Sequence, residues 1–488
     1  MHSRAAGDCS PAFRYYSTMS IPRAVLETLQ TIVGPAGFLD RPADIEPFTV
    51  DHRQLYRGAT PLVLRPDSTR QVSAILKLCN DHGVGVVPVG GNTSYCGGAT
   101  PDEDGSQIVV SMSRMRRIRS VDPLNYAITV EAGCVLAEVL AAASAVDRLF
   151  PLSLGSEGSC QIGGNLSTNA GGTAVLRYGM VRDLVLGLEV VLPDGRVLDG
   201  LQSLRKDNTG YDLDDLFIGA EGTLGIITAA SCKLFSRSTA PVTAFVAVKD
   251  PQAAVNLLSR LRSATGDAVV TFELVPRIAL DLVIRYVPGT TDPLDERCDW
   301  YVLLEVSGGR DSALRDVVET GLAQAMEQGD IVTAVLAESE AQREGLWRLR
   351  ETIPEAQRRD GASIKHDVSV TTSDLPRFMT EGSAAVLAIC PNARMVTYGH
   401  LGDGNLHFNV SPPPGMKGEE FLRLSARMNR SIHDLVAAFG GSISAEHGIG
   451  RLKRDELQRY KNPVALELMR SIKQAIDPNG IMNRGKVI

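Results

Sequence analysis

Three of the chain's eight histidines fall in two short segments, and their spacing is suited to holding a metal ion. His400 and His407 flank the glycine-rich stretch 402–404, whose composition is typical of a turn between two strands. A hairpin there can bring both imidazoles to one face of a sheet. Two imidazoles and a carboxylate suit a divalent ion, with zinc as the first expectation and an open position for catalysis, and Glu446 is the candidate third ligand. A lone histidine is more often a core or surface residue, but this clustering favours a site.

Three segments in the first half of the chain, 88–94, 155–165 and 167–172, concentrate glycine, serine, threonine and asparagine. Glycine lets a backbone approach a ligand closely, and successive N–H groups in such turns bind phosphate oxygens. One segment of this kind is usually an ordinary turn, whereas three together indicate a site for a phosphate-bearing cofactor. None has the GxGxxG spacing of a nicotinamide dinucleotide site.

These segments, together with 205–212 and 218–228, resemble the FAD-binding domain of the vanillyl-alcohol-oxidase superfamily, also called the PCMH type. Within that superfamily they most resemble the D-lactate and D-2-hydroxyglutarate dehydrogenase branch. The resemblance runs from about Asp51 to the tail and implies FAD, with the first loop at the pyrophosphate. The residues that it assigns to the cofactor are Pro88, Val89, Gly90, Gly91, Asn92, Thr93, Ser94, Gly155, Ser156, Ser159, Gly163, Gly164, Asn165, Ser167, Thr168, Asn169, Gly171, Gly172, Glu221, Gly222, Gly225, Ile226, Ile227 and Asn483.

Some relatives link the flavin covalently to a histidine of the first loop. This chain has Asn92 at that place and no histidine nearby, which predicts non-covalent FAD. Cys160 lies near the place where doubly linked relatives use a cysteine, but a small buried thiol is the commoner role for such a residue.

The same resemblance assigns His400, His407 and Glu446 to the metal, and Asn409 and His447 to the substrate. Strand alternation agrees, because it gives Asn409 the same face as His407. Adjacent side chains diverge, so Glu446 can hold an ion while His447 addresses the substrate hydroxyl. The near-neutral intrinsic pKa of histidine suits His447 to act as a general base.

The resemblance also places Arg350 and Lys365 at the distal carboxylate of a two-carboxylate substrate. The planar fork of arginine can hold both carboxylate oxygens. The alternative from residue type alone is that Arg350 forms a helix-surface ion pair with Glu351 or Glu355. The family often has threonine where this chain has Pro354, and the missing hydroxyl could loosen selectivity and admit D-malate or D-lactate.

The resemblance therefore implies oxidation of D-2-hydroxyglutarate to 2-oxoglutarate, in which His447 takes the C2 hydroxyl proton as hydride passes to flavin N5. The expected electron acceptor is an electron-transfer flavoprotein or a quinone-linked carrier. The alternatives are a D-lactate or D-malate dehydrogenase or a glycolate-oxidase-like subunit. A flavin-bound electron carrier without its own substrate, or a metal-binding scaffold, would be a different class of protein.

The patterns between the motifs predict an α+β fold. A helix over 70–82 should end at Gly83, strands should cover 85–89, 108–112 and 184–192, and a hairpin turn should lie at 193–195. The expected organisation is an N-terminal extension and leading helix (1–48), a PCMH-type FAD-binding domain (49–237), a substrate-binding α+β domain with an antiparallel sheet (238–417) and a helical region that returns to the flavin (418–488).

Composition excludes some partners. The 50 basic and 57 acidic residues give a net charge of -7, which argues against nucleic acid, and no apolar run reaches a membrane-spanning length. The eight cysteines are scattered singly, which favours a reducing compartment, expected to be the cytoplasm with the mitochondrial matrix as alternative. The first 20 residues suit either a plain extension, with Met19 as the working start, or a transit peptide. A homodimer is compatible with the sequence.

Overall fold

The computed structural model of the protein describes residues 21–238, 240–309 and 313–488. The first 20 residues, interpreted as either a plain extension or a transit peptide, lie outside the described residues. The leading helix is present as α1 (Arg23–Val33), and it buries Val25, Leu29 and Val33 on one face because they recur every four residues.

The first part of the described chain contains short strands and helices as far as Ser236. In chain order after α1 they are β1 (Phe38–Leu39), α2 (Pro42–Ile45), a 3-10 helix (Glu46–Phe48), β2 (Val63–Leu64), α3 (Thr69–His82), β3 (Gly85–Val89), β4 (Gln107–Ser111), β5 (Ile118–Asp122), β6 (Ala127–Glu131), α4 (Leu136–Ser144), β7 (Arg148–Leu149), α5 (Ile162–Ser167), α6 (Val175–Tyr178), α7 (Val181–Leu184), β8 (Val185–Val191), β9 (Val197–Asp199), α8 (Asp214–Phe217), β10 (Ile226–Lys233) and β11 (Phe235–Ser236).

Two sheets bring the glycine-rich loops together. One has the order β1-β2-β4-β3, with parallel pairing between β2 and β4 and between β4 and β3. The other is antiparallel, in the order β5-β6-β10-β8-β9. Val191 and Ile226 of the second sheet, and Ala132 directly after β6, pack into the core of the first. The loop after β3 therefore lies beside the segment that leads into β10.

Local signals in this part are confirmed. Helix α3 ends at Gly83, which adopts the left-handed conformation (φ 64°), as expected of a helix stop. The turn between β8 and β9 has Gly195 at φ 86°. The backbone N–H of Leu192 donates to the carbonyl of Arg196 across this turn.

The second part alternates longer strands with helices. Its elements are β12 (Val242–Val248), α9 (Pro251–Thr265), β13 (Val269–Pro276), α10 (Arg277–Tyr286), β14 (Trp300–Val306), α11 (Leu314–Glu327), β15 (Ile331–Leu336), α12 (Glu340–Glu351), α13 (Ile353–Asp360), β16 (Asp367–Ser369), α14 (Leu375–Ile389), β17 (Arg394–His400), a 3-10 helix (Leu401–Asp403) and β18 (Asn405–Ser411).

These strands form the predicted antiparallel sheet, in the order β15-β12-β14-β13-β17-β18-β16. Both faces are covered, because alternate residues of β12 enter different cores. Val246 packs with α9 and α11, whereas Phe245 packs with α10, α12 and α13. The 3-10 turn after His400 joins β17 to β18 and makes the predicted hairpin. Phe408 points into the layer opposite to His407, because successive side chains of a strand alternate between its faces.

The rest of the chain is mainly helical, with α15 (Gly418–Leu422), α16 (Ser425–Ala438), α17 (Arg454–Tyr460) and α18 (Pro463–Ile476). The tail then returns to the first part. Val86 of β3 donates to the carbonyl of Ile481 and accepts from the N–H of Asn483, both at 2.8 Å. Among the described residues, no helix combines the length and the apolar character needed to cross a bilayer.

Candidate active site

A cavity of about 900 Å³ lies where the two parts meet, a volume within the range of small-molecule and cofactor sites. One wall carries the glycine-rich loops, and the other carries Lys365, Glu446 and His447. The predicted cofactor residues that line it are Pro88, Val89, Gly90, Gly91, Asn92, Thr93, Ser94, Gly155, Ser156, Ser159, Gly163, Gly164, Asn165, Ser167, Thr168, Gly171, Glu221, Gly222, Gly225, Ile226 and Ile227.

Three predicted cofactor residues, Asn169, Gly172 and Asn483, do not line the cavity. Asn169 accepts the N–H of Arg182, and Gly172 packs so closely that a Cβ would lie 2.4 Å from the carbonyl oxygen of Ser153. Asn483 donates to the carbonyl groups of Gly98 and Glu221, at 2.9 and 2.7 Å. Their contacts indicate that they support the loops of the cavity rather than form its surface.

Two glycines show why the loops can approach so closely. A Cβ on Gly91 would lie 2.3 Å from the carbonyl oxygen of Ser159, so only glycine lets these two loops pack together. Gly222 has a φ of 72°, and a Cβ there would lie 2.5 Å from the ring of Pro88. The result is a cleft lined by glycine-rich backbone and small side chains, and these residues fit a dinucleotide cofactor.

His400, His407 and Glu446 come together beside this cavity. One ligand atom from each residue lies within 4.8 Å of the others, and Nε2 of His400 is 3.3 Å from Oε1 of Glu446. Glu446 lines the cavity, whereas the two imidazoles lie behind its wall. Burial lowers the pKa of His407 to about 4, so this imidazole is neutral, as a metal ligand must be. The donor set fits a divalent ion such as zinc.

A buried carboxylate holds His400 from its other side. Glu273 on β13 is the cross-strand partner of His400 on β17, and its Oε1 lies 2.5 Å from Nδ1 of the imidazole. Burial opposes the charge of Glu273, but Arg350 and His400 outweigh it and lower the pKa of Glu273 to about 2. Burial likewise opposes the charge of His400, and Glu273 and Glu446 outweigh it, raising the pKa of His400 well above its usual value, so a divalent ion would have to displace a proton from this ring on binding. Such a carboxylate fixes the ring orientation of a metal-binding histidine.

Arg350 is buried next to Glu273 and forms an ion pair with it at 2.6 Å. Its guanidinium carbon also lies 4.8 Å from the ring centre of Tyr398. The surface ion pair with Glu351 or Glu355 is therefore wrong, since α12 packs this face against the sheet. Arg350 does not line the cavity, whereas Lys365 does.

His447 faces the cavity and is held by Asp367. One oxygen of Asp367 accepts the backbone N–H groups of Glu446 and His447, both at 2.9 Å, and lies 3.3 Å from Nδ1 of His447. Burial opposes the charge of Asp367, but His447 and Lys453 outweigh it, and the pKa of Asp367 falls far below its usual value. Asp367 thus remains ionised and fixes the orientation of the imidazole.

Asn409 lies behind the cavity wall. Its side-chain amide donates to Gln357 of α13 at 2.9 Å, and Asn409 is only 3% exposed. Strand alternation places it beside His407 as predicted, but neighbouring side chains separate it from the cavity in this conformation.

Sequence reasoning missed Glu273, Asp367, Arg53 and Arg358. The signal for Glu273 was a lone carboxylate in the otherwise uncharged strand β13. Asp367 directly follows a Lys-His pair, and nothing in that spacing indicates its long-range partner. Arg53 and Arg358 line the cavity, but arginines in loops and on helix surfaces carry no distinguishing pattern.

Family models match both parts of the chain. The FAD binding domain model matches residues 60–200, and the model for the C-terminal domain of FAD linked oxidases matches residues 237–487. The fold is also that of p-cresol methylhydroxylase, with a TM-score of 0.75 and 16% identity over 95% of this chain and 96% of that structure.

Curated relatives span nearly the whole chain. The mitochondrial D-2-hydroxyglutarate dehydrogenase of Bos taurus is 38% identical over 95% of this chain and 83% of the relative. The mitochondrial enzyme of the same name from Arabidopsis thaliana is 36% identical, over 94% and 80%. The D-2-hydroxyglutarate–pyruvate transhydrogenase of Saccharomyces cerevisiae is 36% identical, over 92% and 90%.

Fold and family models together define an FAD-dependent oxidoreductase with an α+β, PCMH-type architecture. This confirms the expected fold class and FAD as a cofactor, whereas the divalent ion and the non-covalent attachment of FAD stay predictions. The relatives narrow the class further, and the chain belongs to the D-2-hydroxyglutarate dehydrogenase family.

The expected cytoplasmic location is wrong by the same comparison, because the cattle and Arabidopsis relatives are named mitochondrial. The expectation was based on unpaired cysteines, and a reducing interior does not distinguish the cytoplasm from the mitochondrial matrix. The described cysteines are all free, which is compatible with either compartment.

Proposed function

We propose that the protein oxidises D-2-hydroxyglutarate to 2-oxoglutarate in mitochondria, with non-covalent FAD and a divalent ion held by His400, His407 and Glu446. The observation that carries this proposal is the gathering of those three donors, within 4.8 Å of one another, beside a glycine-lined cavity. The names of the relatives support the substrate and the compartment.

When bound, FAD supplies the hydride acceptor, and the divalent ion supplies a Lewis acid that favours ionisation of the substrate hydroxyl. His447 receives the hydroxyl proton, while the C2–H bond breaks with its electron pair and a C2=O bond forms. Asp367 holds the ring through the contact at Nδ1, which leaves Nε2 free to face the substrate. Tyr95 packs edge-on against the same imidazole, with ring centres 4.8 Å apart, and limits its rotation.

Lys365 and Arg350 are proposed to attract the distal carboxylate. Lys365 reaches the cavity directly. Arg350 lies behind the cavity wall and uses its Nε for Glu273, so its proposed contribution comes from the N–H donors that remain on the guanidinium. Asn409 is proposed to support the substrate site indirectly, by donating a hydrogen bond to Gln357 of α13 behind the cavity wall.

Asn92 supports the proposal of non-covalent FAD. Its side chain donates to the carbonyl groups of Pro47 and Val50, at 3.2 and 3.0 Å, and an amide is not a nucleophile for flavin attachment. FAD should therefore be released into the supernatant when the protein is denatured by acid.

A second candidate substrate is D-malate or D-lactate, favoured by one observation. Pro354 lines the cavity and offers no hydroxyl to hold a five-carbon acid. For reoxidation we propose an electron-transfer flavoprotein or a quinone-linked carrier, and the name of the yeast relative adds pyruvate to the acceptors to be tried.

The direct test is anaerobic mixing of the purified holoprotein with the D- and L-forms of 2-hydroxyglutarate, malate and lactate. D-2-hydroxyglutarate should bleach the flavin absorbance fastest, and its L-form should not. Faster bleaching by D-lactate or D-malate would mean that this acid, and not D-2-hydroxyglutarate, is the preferred substrate. Flavin that no hydroxy acid bleaches would contradict a 2-hydroxy-acid dehydrogenase.

A further inference from the structure

Three cationic side chains, those of Arg53, Lys365 and Arg358, line the same cavity. Within the described ranges, none of the three is ion-paired with a carboxylate. The adjacent Arg359, in contrast, forms an ion pair with Glu355 at 2.6 Å. Uncompensated cations are unusual in a cleft, and together they create a positive potential that attracts anions.

The three charges lie close enough to influence one another. Lys365 has a lowered pKa because of burial in the first place, and then because of the positive charges of Arg53 and Arg358. A bound anion would relieve this repulsion, which is a physical reason for an anion to settle between them.

The acidic residues of this wall do not neutralise the cluster. Glu355 is engaged by Arg359. Burial and the charge of Glu157 raise the pKa of Glu351, and no ion pair joins it to Arg53, Lys365 or Arg358 among the described residues. Glu446 and Glu221 also line the cavity, but Glu446 contacts His400 at 3.3 Å and Glu221 accepts the backbone N–H groups of Ile449 and Gly450, so neither carboxylate is paired with the three cations.

Arg358 also lies in a suitable place. It follows Pro354 by four residues on α13, so both side chains lie on one face of the helix, and both line the cavity. Arg350, in contrast, lies behind the wall and is bound to Glu273. A cation one turn beyond Pro354 can supply the polar contact that proline lacks.

We infer that Arg53 and Arg358 are specificity-determining residues that, with Lys365, form an anion-binding wall for the distal carboxylate of the substrate. This inference rests on the proposed function, because it assumes a 2-hydroxy acid whose reacting end lies at Glu446 and His447. It adds two residues, from loop 51–57 and from α13, that act on the far end of that acid.

The test compares Arg53→Met, Arg358→Met and the double variant in the FAD-loaded protein, using flavin reduction by D-2-hydroxyglutarate and by D-lactate. Each single variant should raise the substrate concentration for half-maximal reduction by D-2-hydroxyglutarate about tenfold, the effect of one charged hydrogen bond. Values for D-lactate, which has no distal carboxylate, should change less than about twofold by the same reasoning. Arg358→Lys should recover part of the loss, and Arg427→Met, at an exposed position of α16 outside the cavity lining, is the control.

An equal rise in the half-maximal concentration of both acids would overturn the inference. A fall in the FAD content of the variants would also overturn it, because it would assign the cations to the phosphates of the cofactor. Unchanged behaviour toward both acids would also overturn it. Failure of the proposed function is separate, because it would appear as no bleaching of the unmodified holoprotein by any hydroxy acid.

Discussion

Glu273 and His400 are cross-strand neighbours whose side chains meet at 2.5 Å, on the opposite side of the imidazole from Glu446. Because Arg350 in turn holds Glu273, a chain of buried charges fixes one of the proposed metal ligands before any ion arrives.

Glu273→Gln should weaken zinc affinity by about 10- to 100-fold, the range for loss of a supporting carboxylate. Competition with a zinc-binding dye would measure it, with FAD content as a check on folding. Glu305→Gln on the adjacent strand β14 is the control, since Glu305 pairs with Arg343 away from the cavity. Equal affinities in Glu273→Gln and the parent protein would contradict a supporting role.

Removing the metal should stop substrate oxidation and leave the flavin in place. Dialysis against a chelator is expected to abolish bleaching by D-2-hydroxyglutarate while the flavin spectrum persists, because the FAD loops and the three metal ligands are separate groups of residues. Adding zinc should restore the rate. Activity that survives complete removal of metal, verified by elemental analysis, would refute a catalytic ion.

His447→Ala should slow flavin reduction by about 100- to 10,000-fold, as expected for loss of a general base. FAD and metal contents should stay as in the parent protein, because the side chain of His447 is proposed to hold neither. His82→Gln, at the exposed end of α3, is the histidine control. If rapid mixing gave the same reduction rate in His447→Ala, another group would have to take the proton.

Arg350→Met should lower the free energy of unfolding by about 3 kcal/mol or more, because it leaves the carboxylate of Glu273 buried without its partner. Denaturant unfolding of the protein would measure the loss. Arg348→Met, an exposed position two residues earlier on α12, should change stability little. A matching loss in both variants would mean that the ion pair with Glu273 contributes nothing specific.

Acid should destabilise the protein through His366. Burial lowers the pKa of this histidine from 6.5 to about 4, so the folded protein binds its proton more weakly than the unfolded chain does. Its contribution is fully present above pH 6.5 and is lost as the pH falls toward 4, by roughly 3 kcal/mol.

His366→Asn should therefore make the loss of stability between pH 6.5 and pH 4 smaller, since asparagine takes up no proton. The His366 ring contacts the carbonyl of Phe408 through Nδ1, and the amide of asparagine can donate in its place. His82→Asn is the exposed control. Parallel pH profiles for His366→Asn and the parent protein would show that this proton does not contribute.

Much of the fold could be predicted from the sequence, because its signals are local. The run 85–89 became β3, and α3 ends before Gly83, as the glycine stop indicated. The hairpin around residues 402–404 was predictable for the same reason, and so was the common face of His407 and Asn409.

The missing parts of the site depend on contacts between distant residues. Glu273 and His400 are 127 positions apart, and Asp367 and Glu446 are 79 apart, so no window of sequence contains both partners. The burial of Arg350 depends on how α12 packs on the sheet. The charges around Arg350 in the sequence fit an exposed helix and a buried one equally well, and only the packing of the fold distinguishes the two.

The attachment of Ile481 and Asn483 to Val86 affects how the protein is made. A ribosome releases the strand that contains Val86 nearly four hundred residues before the segment that pairs with it, and Asn483 also bonds to the carbonyl groups of Gly98 and Glu221. The flavin-binding loops of the nascent chain therefore lack these hydrogen bonds until synthesis is almost finished. Loading of the cofactor should be a late event in biogenesis, and messages interrupted shortly before codon 481 should yield colourless protein.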